Sequence, residues 1–433
     1  MDRARKGPRW PAIAFATLLA FAGACSDRTA SDVQGNAADD SGASTTSTLS
    51  DSQSDANASA AESDDTAGDA ECRSPSVDGT TISLAPLPVG RIRHRLVELA
   101  DGDLIVMGGA ECTSQEGELL SSVARLSWAS AGASWRDAAV MPLALADHAA
   151  VRVDPDLVMV LGGVSAEGPS RAVLVYDGGL DMWTSSPDLP EPVERPLAAE
   201  LTGGGILVVT GSPGPARAYW VDGPGGAATI VAAPDAYVLH DASLTALLDG
   251  RALLALGGDL GGVMLYDPAL DSWSALESPP GFDPEPPPWT EGWIGAAANL
   301  SADSVLLFHE CWAWEGEGSA RTRAVLWNPR DEAGLRITML ESPACDGGAL
   351  HSYGDELGIR AFTLSTDRVV VLGWDGRDYV LDASLAWTRL ERTAAYHTEA
   401  LAVGNGSLLM VGGGGFQQET ICEGANSVEV WIP

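Results

Sequence analysis

Three histidines stand at matching distances before short apolar runs that end in glycine. His94 and His148 lie fourteen residues before Gly108 and Gly162, and His397 lies fifteen before Gly412. Imidazoles repeated at one position are suited to gathering around a metal ion or an anion, because the neutral ring is a ligand and the charged ring a donor. The plain alternative is packing and hydrogen bonding at the start of a strand. A second cluster is aromatic: Trp289, Glu291 and Trp293 precede His309, Glu310, Trp312 and Trp314. Indole faces beside carboxylates and an imidazole grip sugars, stacking on the ring and hydrogen-bonding its hydroxyls. The alternative is a degenerate unit whose tryptophans pack over the Cys311 loop. Trp374 and Arg360 extend the same surface, and Arg195 is a further candidate ligand.

Around these residues the chain repeats one unit. The runs "LIVMGG", "VMVLGG", "LLALGG" and "LLMVGG" close on Gly108-Gly109, Gly162-Gly163, Gly257-Gly258 and Gly412-Gly413, with weaker versions at "LVVTGS", "VLLFHE" and "VVVLGW". Seven copies recur about every 50 residues, a period typical of propeller repeats. The second half of the unit is marked by aromatic pairs seven residues apart: Tyr176 and Trp183, Tyr266 and Trp273, Trp128 and Trp135. A four-strand unit cannot cover both of its own faces, so neighbours must stack around an axis. The sequence therefore predicts an all-β, seven-bladed propeller over residues 80–433, with no separate catalytic domain. "SVEVWIP" at the end supplies a third strand, and "TISLAPLP", Thr81 to Pro88, supplies the missing fourth that closes the ring.

Composition narrows the partners. The net charge is -35, and Lys6 is the single lysine, so nearly all cations are arginines. A surface this acidic repels phosphate backbones and anionic lipid headgroups, which argues against nucleic acid.

The first residues give a location. "MDRARKGPRW" is basic and "PAIAFATLLAFAGA" is an apolar run of 14, too short to span a membrane and of the size of a signal-peptide core. Ala22-Gly23-Ala24-Cys25 resembles a bacterial lipobox, which implies a signal peptide over residues 1–24 and acylation of Cys25. Residues 25–79 then read as a disordered acidic tether of Ser, Asp, Ala and Thr, with too little apolar surface to offset its ordering entropy. The expected location is outside the cytoplasmic membrane, lipid-anchored, or secreted if Cys25 is not acylated.

The glycine-ended runs, the Tyr-Asp turn and the following Trp, in this order and period, resemble the kelch repeat over residues 85 to 433. In such a unit the loop after the glycine pair and the loop entering the next blade share a face. That places Cys311 near Cys345 and Cys112 near Cys422 as expected disulfides, with Cys72 to Cys422 as the competing connectivity. The resemblance includes copper radical oxidases, which need a Cys-linked Tyr, a second Tyr and two His ligands, and sialic-acid mutarotases, which would use a Glu with an Arg. No tyrosine here has an evident Cys partner, and no spacing singles out Glu310 or Glu111 with Arg195 or Arg360. P-loop, G-x-S-x-G, H-E-x-x-H and C-x-x-C motifs are absent from the sequence, so no cofactor and no metal is expected. The sequence favours a monomeric module that binds or scaffolds a protein or carbohydrate on the cell envelope, touching the membrane through its anchor only. A sugar-directed enzyme of epimerase or mutarotase type is the alternative.

Overall fold

A computed structural model gives the architecture. It describes residues 77–112, 117–128, 133–211, 214–236, 239, 242–256, 262–276, 290–301, 303–313, 321–330, 338–340, 360–365, 367–372, 378–390, 399–412 and 425–433. Seven antiparallel four-stranded sheets follow one another along the chain, beginning at Arg95, Ala149, Leu197, Ser243, Thr290, Arg360 and Glu399. In each, the first strand is innermost. Each first strand touches the first strand of the next blade, and that of blade seven touches that of blade one, so the ring is closed. Thr80–Ser83 pairs antiparallel with Glu429–Ile432 as the outer strand of blade seven. That strand is shorter than the sequence suggested, because Pro86 and Pro88 bring no N–H to a ladder. Val77–Asp78, assigned by sequence to the tether, runs parallel to Arg389–Leu390 as a fifth strand of blade six.

Apolar side chains alternate between the two faces of a blade, and both faces are covered. In blade one, Ile105 and Met107 pack on blade two with Val158 and Val160, while Leu104 and Val106 pack on blade seven with Leu409 and Val411. That is why the second strands read as unbroken apolar runs rather than alternating ones. The molecule has no single centre: seven such clusters fill the seven interfaces between neighbours.

The aromatic pairs tie one blade to the previous one. Tyr176 stacks on Trp183 with centroids 5.0 Å apart, and its hydroxyl donates to Asp181 Oδ1 at 2.7 Å. Trp183 Nε1 donates to the Ala139 carbonyl at 2.7 Å, just beyond the outer strand of blade one. Tyr266, Asp271 and Trp273 repeat the arrangement on Ala232, and Trp135 reaches Ala85 at 2.8 Å. The seven-residue spacing thus places a hydrogen-bonded stitch at each of these junctions.

Blade five departs from the pattern for a local reason. In blades one, two, four and seven a glycine pair follows the second strand, and in blades three and six a single glycine does. Here His309, Glu310 and Cys311 hold no glycine, and the strand runs on from Ser304 to Ala313, pairing with Thr290–Ser301 and with Arg321–Trp327. A three-stranded ribbon therefore projects from the face on which the other blades turn.

Candidate functional site

Among the described residues, the glycine pairs of blades one and two meet the loops entering blades two and three on one face, around the mouth of the ring. Gly109, with φ 91°, donates its N–H to the Leu145 carbonyl of the next blade at 2.8 Å, and Gly163, with φ 94°, donates to Val193 at 3.0 Å. A Cβ on Gly109 would stand 2.5 Å from the Ile92 oxygen and 2.9 Å from His94 Cβ, so only glycine fits. Arg91 completes the turn of blade one. Its guanidinium is buried and donates to the carbonyls of Gly108 at 3.1 Å and Ser122 at 3.2 Å. Burial lowers its pKa to about 10, so it remains a cation at neutral pH.

His94 and His148 are placed at the strand starts of adjacent blades, as their spacing suggested, yet they lie under the mouth rather than in it. They are 1% and 0% exposed, packed beneath the glycines. None of their four ring nitrogens has a hydrogen-bond partner of ordinary geometry. Burial pushes the His148 pKa down to about 3, helped by Arg95 and opposed by the Leu145 backbone. Burial likewise holds His94 well below the usual histidine range, with Arg91, Arg95 and His148 adding to the effect. Both rings are neutral packing groups at physiological pH, sealed from direct contact with a solvent-borne ligand. Among the described residues no group of His, Cys, Asp and Glu has the geometry of a metal site.

The charged groups of the mouth come from positions one residue either side of the histidines. Arg95, Arg360 and Glu399 are the first residues of the inner strands of blades one, six and seven, and pair with Met107, Leu372 and Val411 just before the glycines. Arg95 Nη1 stands 3.5 Å from Glu399 Oε2. Burial raises the Glu399 pKa, while Arg95 and Arg360 pull it the other way. Two residues earlier in the unit, Arg93 of blade one ion-pairs with Asp147 of blade two, and Arg195 of blade three lies 3.7 Å from the same carboxylate. All three of these residues have positive φ, 59°, 50° and 47°. Arg93, Asp147 and Arg195 thus form an arginine–acid–arginine cluster across blades one to three, and Arg95 and Glu399 pair blade one with blade seven, with Arg360 of blade six acting on the same carboxylate.

Of the residues proposed from sequence, Arg195 and Arg360 are brought to this mouth. Trp293, His309, Glu310, Trp312 and Cys311 lie on the two long strands of blade five, and their side chains are outside the described residues. The register sets Glu291 opposite Trp312 and Trp293 opposite Glu310. Trp314, Trp374, His397, Cys25, Cys345 and Cys422 are also outside the described residues. Cys112 is disulfide-bonded. Sequence reasoning missed Arg93, Arg95, Asp147 and Glu399. A signal was present, since Arg93, Asp147 and Arg195 each stand fifteen residues before Gly108, Gly162 and Thr210, the same place in three consecutive units.

No protein-family model matches the sequence. The human Kelch-like protein 33 is 32% identical over 134 residues, covering 31% of this chain and 24% of that protein, so the chain spans about a quarter of the curated relative's length. Among solved structures, a novel fungal alcohol oxidase with catalytic diversity among the AA5 family, in complex with copper, matches with a TM-score of 0.58. At 14% identity over 82% of this chain and 76% of that one, the likeness is one of fold alone. Glycine-ended second strands, Tyr–Asp–Trp stitches and a closed ring of seven blades together make this chain a seven-bladed β-propeller whose repeats are similar to the kelch repeat.

Proposed function

We propose that this chain is a binding or scaffold module whose loop face, around the arginine-bordered channel mouth, docks a protein partner outside the cytoplasmic membrane. The observation that carries it is the state of the ionisable groups at that mouth. The histidines are sealed and unprotonated, and the carboxylates Asp147 and Glu399 are engaged with arginines from neighbouring blades. Such an arrangement presents fixed charges to a partner. The lipobox-like Ala22-Gly23-Ala24-Cys25 and the acidic stretch after it support display on a membrane-anchored tether. A disulfide at Cys112 is in keeping with an oxidising compartment.

A photo-cross-linking residue tests the choice of face. Glu167 is exposed in the loop after the Gly162-Gly163 turn, and Leu180 is exposed in the hairpin on the opposite face of the same blade. In cells, the probe at Glu167 is expected to capture a discrete protein adduct that the probe at Leu180 does not. Adducts only from Leu180, or from neither, would sink this assignment.

A carbohydrate is the second reading, and the blade-five register favours it. Two Trp and two Glu alternate across one two-stranded ladder, the residue types that stack on a sugar ring and bond its hydroxyls. Binding to immobilised cell-wall glycans that survives Trp293→Ala and Trp312→Ala would remove it.

A further inference from the structure

We infer that Val77–Ser83 is a strap that locks the seam between blades six and seven. The propeller loosens there first, by release of Val77–Asp78 from blade six and fraying of Thr80–Ser83 from blade seven.

Three other junctions are closed by side chains. Trp183 of blade two donates to the Ala139 carbonyl, just past the outer strand of blade one, and Asp181 accepts the Ala139 N–H at 2.8 Å. Trp273 and Asp271 of blade four do the same on Ala232, just past the outer strand of blade three. Trp135 of blade one reaches Ala85, just past the outer strand of blade seven. Blade seven has no such tryptophan to offer blade six, because its outer strand is Thr80–Ser83, brought from the other end of the chain. The equivalent place, between the end of one outer strand and the start of the next, is filled by backbone instead. Val77 and Asp78 pair with Arg389 and Leu390 at the end of blade six's outer strand, Gly79 turns, and Thr80 opens the outer strand of blade seven.

The crossing point is tightly fitted. Gly79 has φ 76°, and a Cβ on it would stand 2.3 Å from Trp431 Nε1 and 2.6 Å from the Ile432 oxygen, so only glycine fits. Trp431 is buried, and belongs with Leu372, Leu390 and Met410 to the cluster that fills this seam. The strap therefore lies against the largest side chain of the interface it crosses.

The strand that follows has little else to hold its beginning. Thr80, Ile82 and Ser83 are exposed, Ile82 by 44%, so burial contributes little to keeping them on blade seven. The far end is pinned: Leu84 and Leu87 donate their N–H groups to the Val428 and Asn426 carbonyls, both at 2.8 Å, and Leu87 is buried. Fraying must therefore start at Thr80, and the strap is what opposes it. The segment that precedes Val77 joins the propeller at this point. A cut ahead of Val77 leaves the strap in place, whereas a cut between Gly79 and Thr80, or a pull that strips Val77–Asp78 from blade six, unlocks the seam.

Hydrogen exchange of the full-length chain, followed by mass spectrometry of its peptides, tests the strap. In the parent, amides of Thr80–Ser83 and Val428–Ile432 are expected to open at lower urea than those of Val173–Asp177 and Met182–Ser186, the matching strand pair of blade two. The double variant Val77→Pro, Asp78→Pro removes both strap N–H groups. It should speed exchange of the blade-seven pair about tenfold and leave the blade-two pair unchanged. Gly79→Ala keeps those N–H groups and only crowds Trp431. It should give the same pattern more weakly, and it carries the test alone if the double variant fails to fold. Trp183→Phe, which removes one side-chain stitch, should speed exchange in blade two and leave blade seven as in the parent. Three results would overturn the proposal: a blade-seven pair as protected as that of blade two in the parent, faster exchange confined to residues 77–79 in the strap variants, or an equal rise in both blades.

Discussion

The two mouths of the channel are formed by opposite ends of the same strands and differ in both charge and tightness. Blade one shows it within four residues: its inner strand opens on Arg95 at the loop face and closes on Glu98 at the other. Around the opposite mouth Glu98, Asp154 and Glu200, with Arg152, line an open cavity of about 450 Å³ that reaches Gly404. The loop-face mouth has arginines in excess, left-handed non-glycine residues and glycines with no spare room. At the loop-face mouth glycine N–H groups of one blade bond to the entry loop of the next, whereas at the other mouth Gly404 has room for a side chain. Specific recognition needs the first kind of surface, because charges held in place lose little entropy on binding.

The largest contrast between the mouths should come from adding one methyl group. Gly163 has φ 94°, and a Cβ there would stand 2.6 Å from the Ala146 oxygen and 2.8 Å from His148 Cα. Gly163→Ala is expected to cost about 3 kcal/mol or more in urea unfolding, from backbone strain and overpacking together. At the other mouth, a Cβ on Gly404 would meet only the Glu98 carboxylate, at 3.6 Å. Gly404→Ala should stay within about 0.5 kcal/mol of the parent. Equal costs would show that the loop-face mouth is no more tightly built than its counterpart.

Acid should act through the loop-face end as well. The unfolded chain protonates His148 near pH 6.5, but the folded chain does so only at about 3. Below 6.5 the unfolded state therefore binds a proton that the folded state refuses, and stability falls as pH drops toward 3; above 6.5 the ring is neutral in both states and contributes nothing. The full effect for this one residue is on the order of 5 kcal/mol. Between pH 7 and 5, before most carboxylates titrate, urea midpoints of the parent should fall more steeply than those of His148→Gln. Parallel slopes would mean that the ring is not held neutral by burial.

The repeat was legible in the sequence because its signals are local. Gly-Gly after an apolar run, and Tyr and Trp seven apart, each have a consequence within one blade or its neighbour. The ring closure by residues near 80 was legible too, since a three-strand remnant at one end called for a strand from the other. The mouth was less so. His94 and His148 are conspicuous by type, but burial under glycines is a property of three-dimensional packing that no single stretch encodes. Arg93, Asp147 and Arg195 gain meaning only when three blades are set side by side, and Arg95 meets Glu399 across 304 residues of chain. Blade five misled for a different reason: loss of glycine at His309 and Glu310 reads as decay of a repeat, yet physically it removes the turn and lets the strand continue.

The smallest contrast is the most direct probe of charge at the two mouths. Glu399→Gln removes the carboxylate that pairs with Arg95 of blade one and is also acted on by Arg360 of blade six, leaving those two cations on either side of blade seven without it. A loss of about 1–2 kcal/mol is expected, most of it the cost of the uncompensated charges rather than of one contact. Glu98→Gln is a milder change. The carboxylate accepts a hydrogen bond from the Gly404 N–H at 2.8 Å, joining blade one to blade seven, and a glutamine side-chain oxygen accepts the same bond. Only the charge assistance is lost, about 0.5 kcal/mol. Urea midpoints of the two variants decide the matter. If Glu98→Gln proves the costlier, blades one and seven are held together mainly at the acidic end, and the arginine mouth is free to adjust to its partner rather than being preset for it.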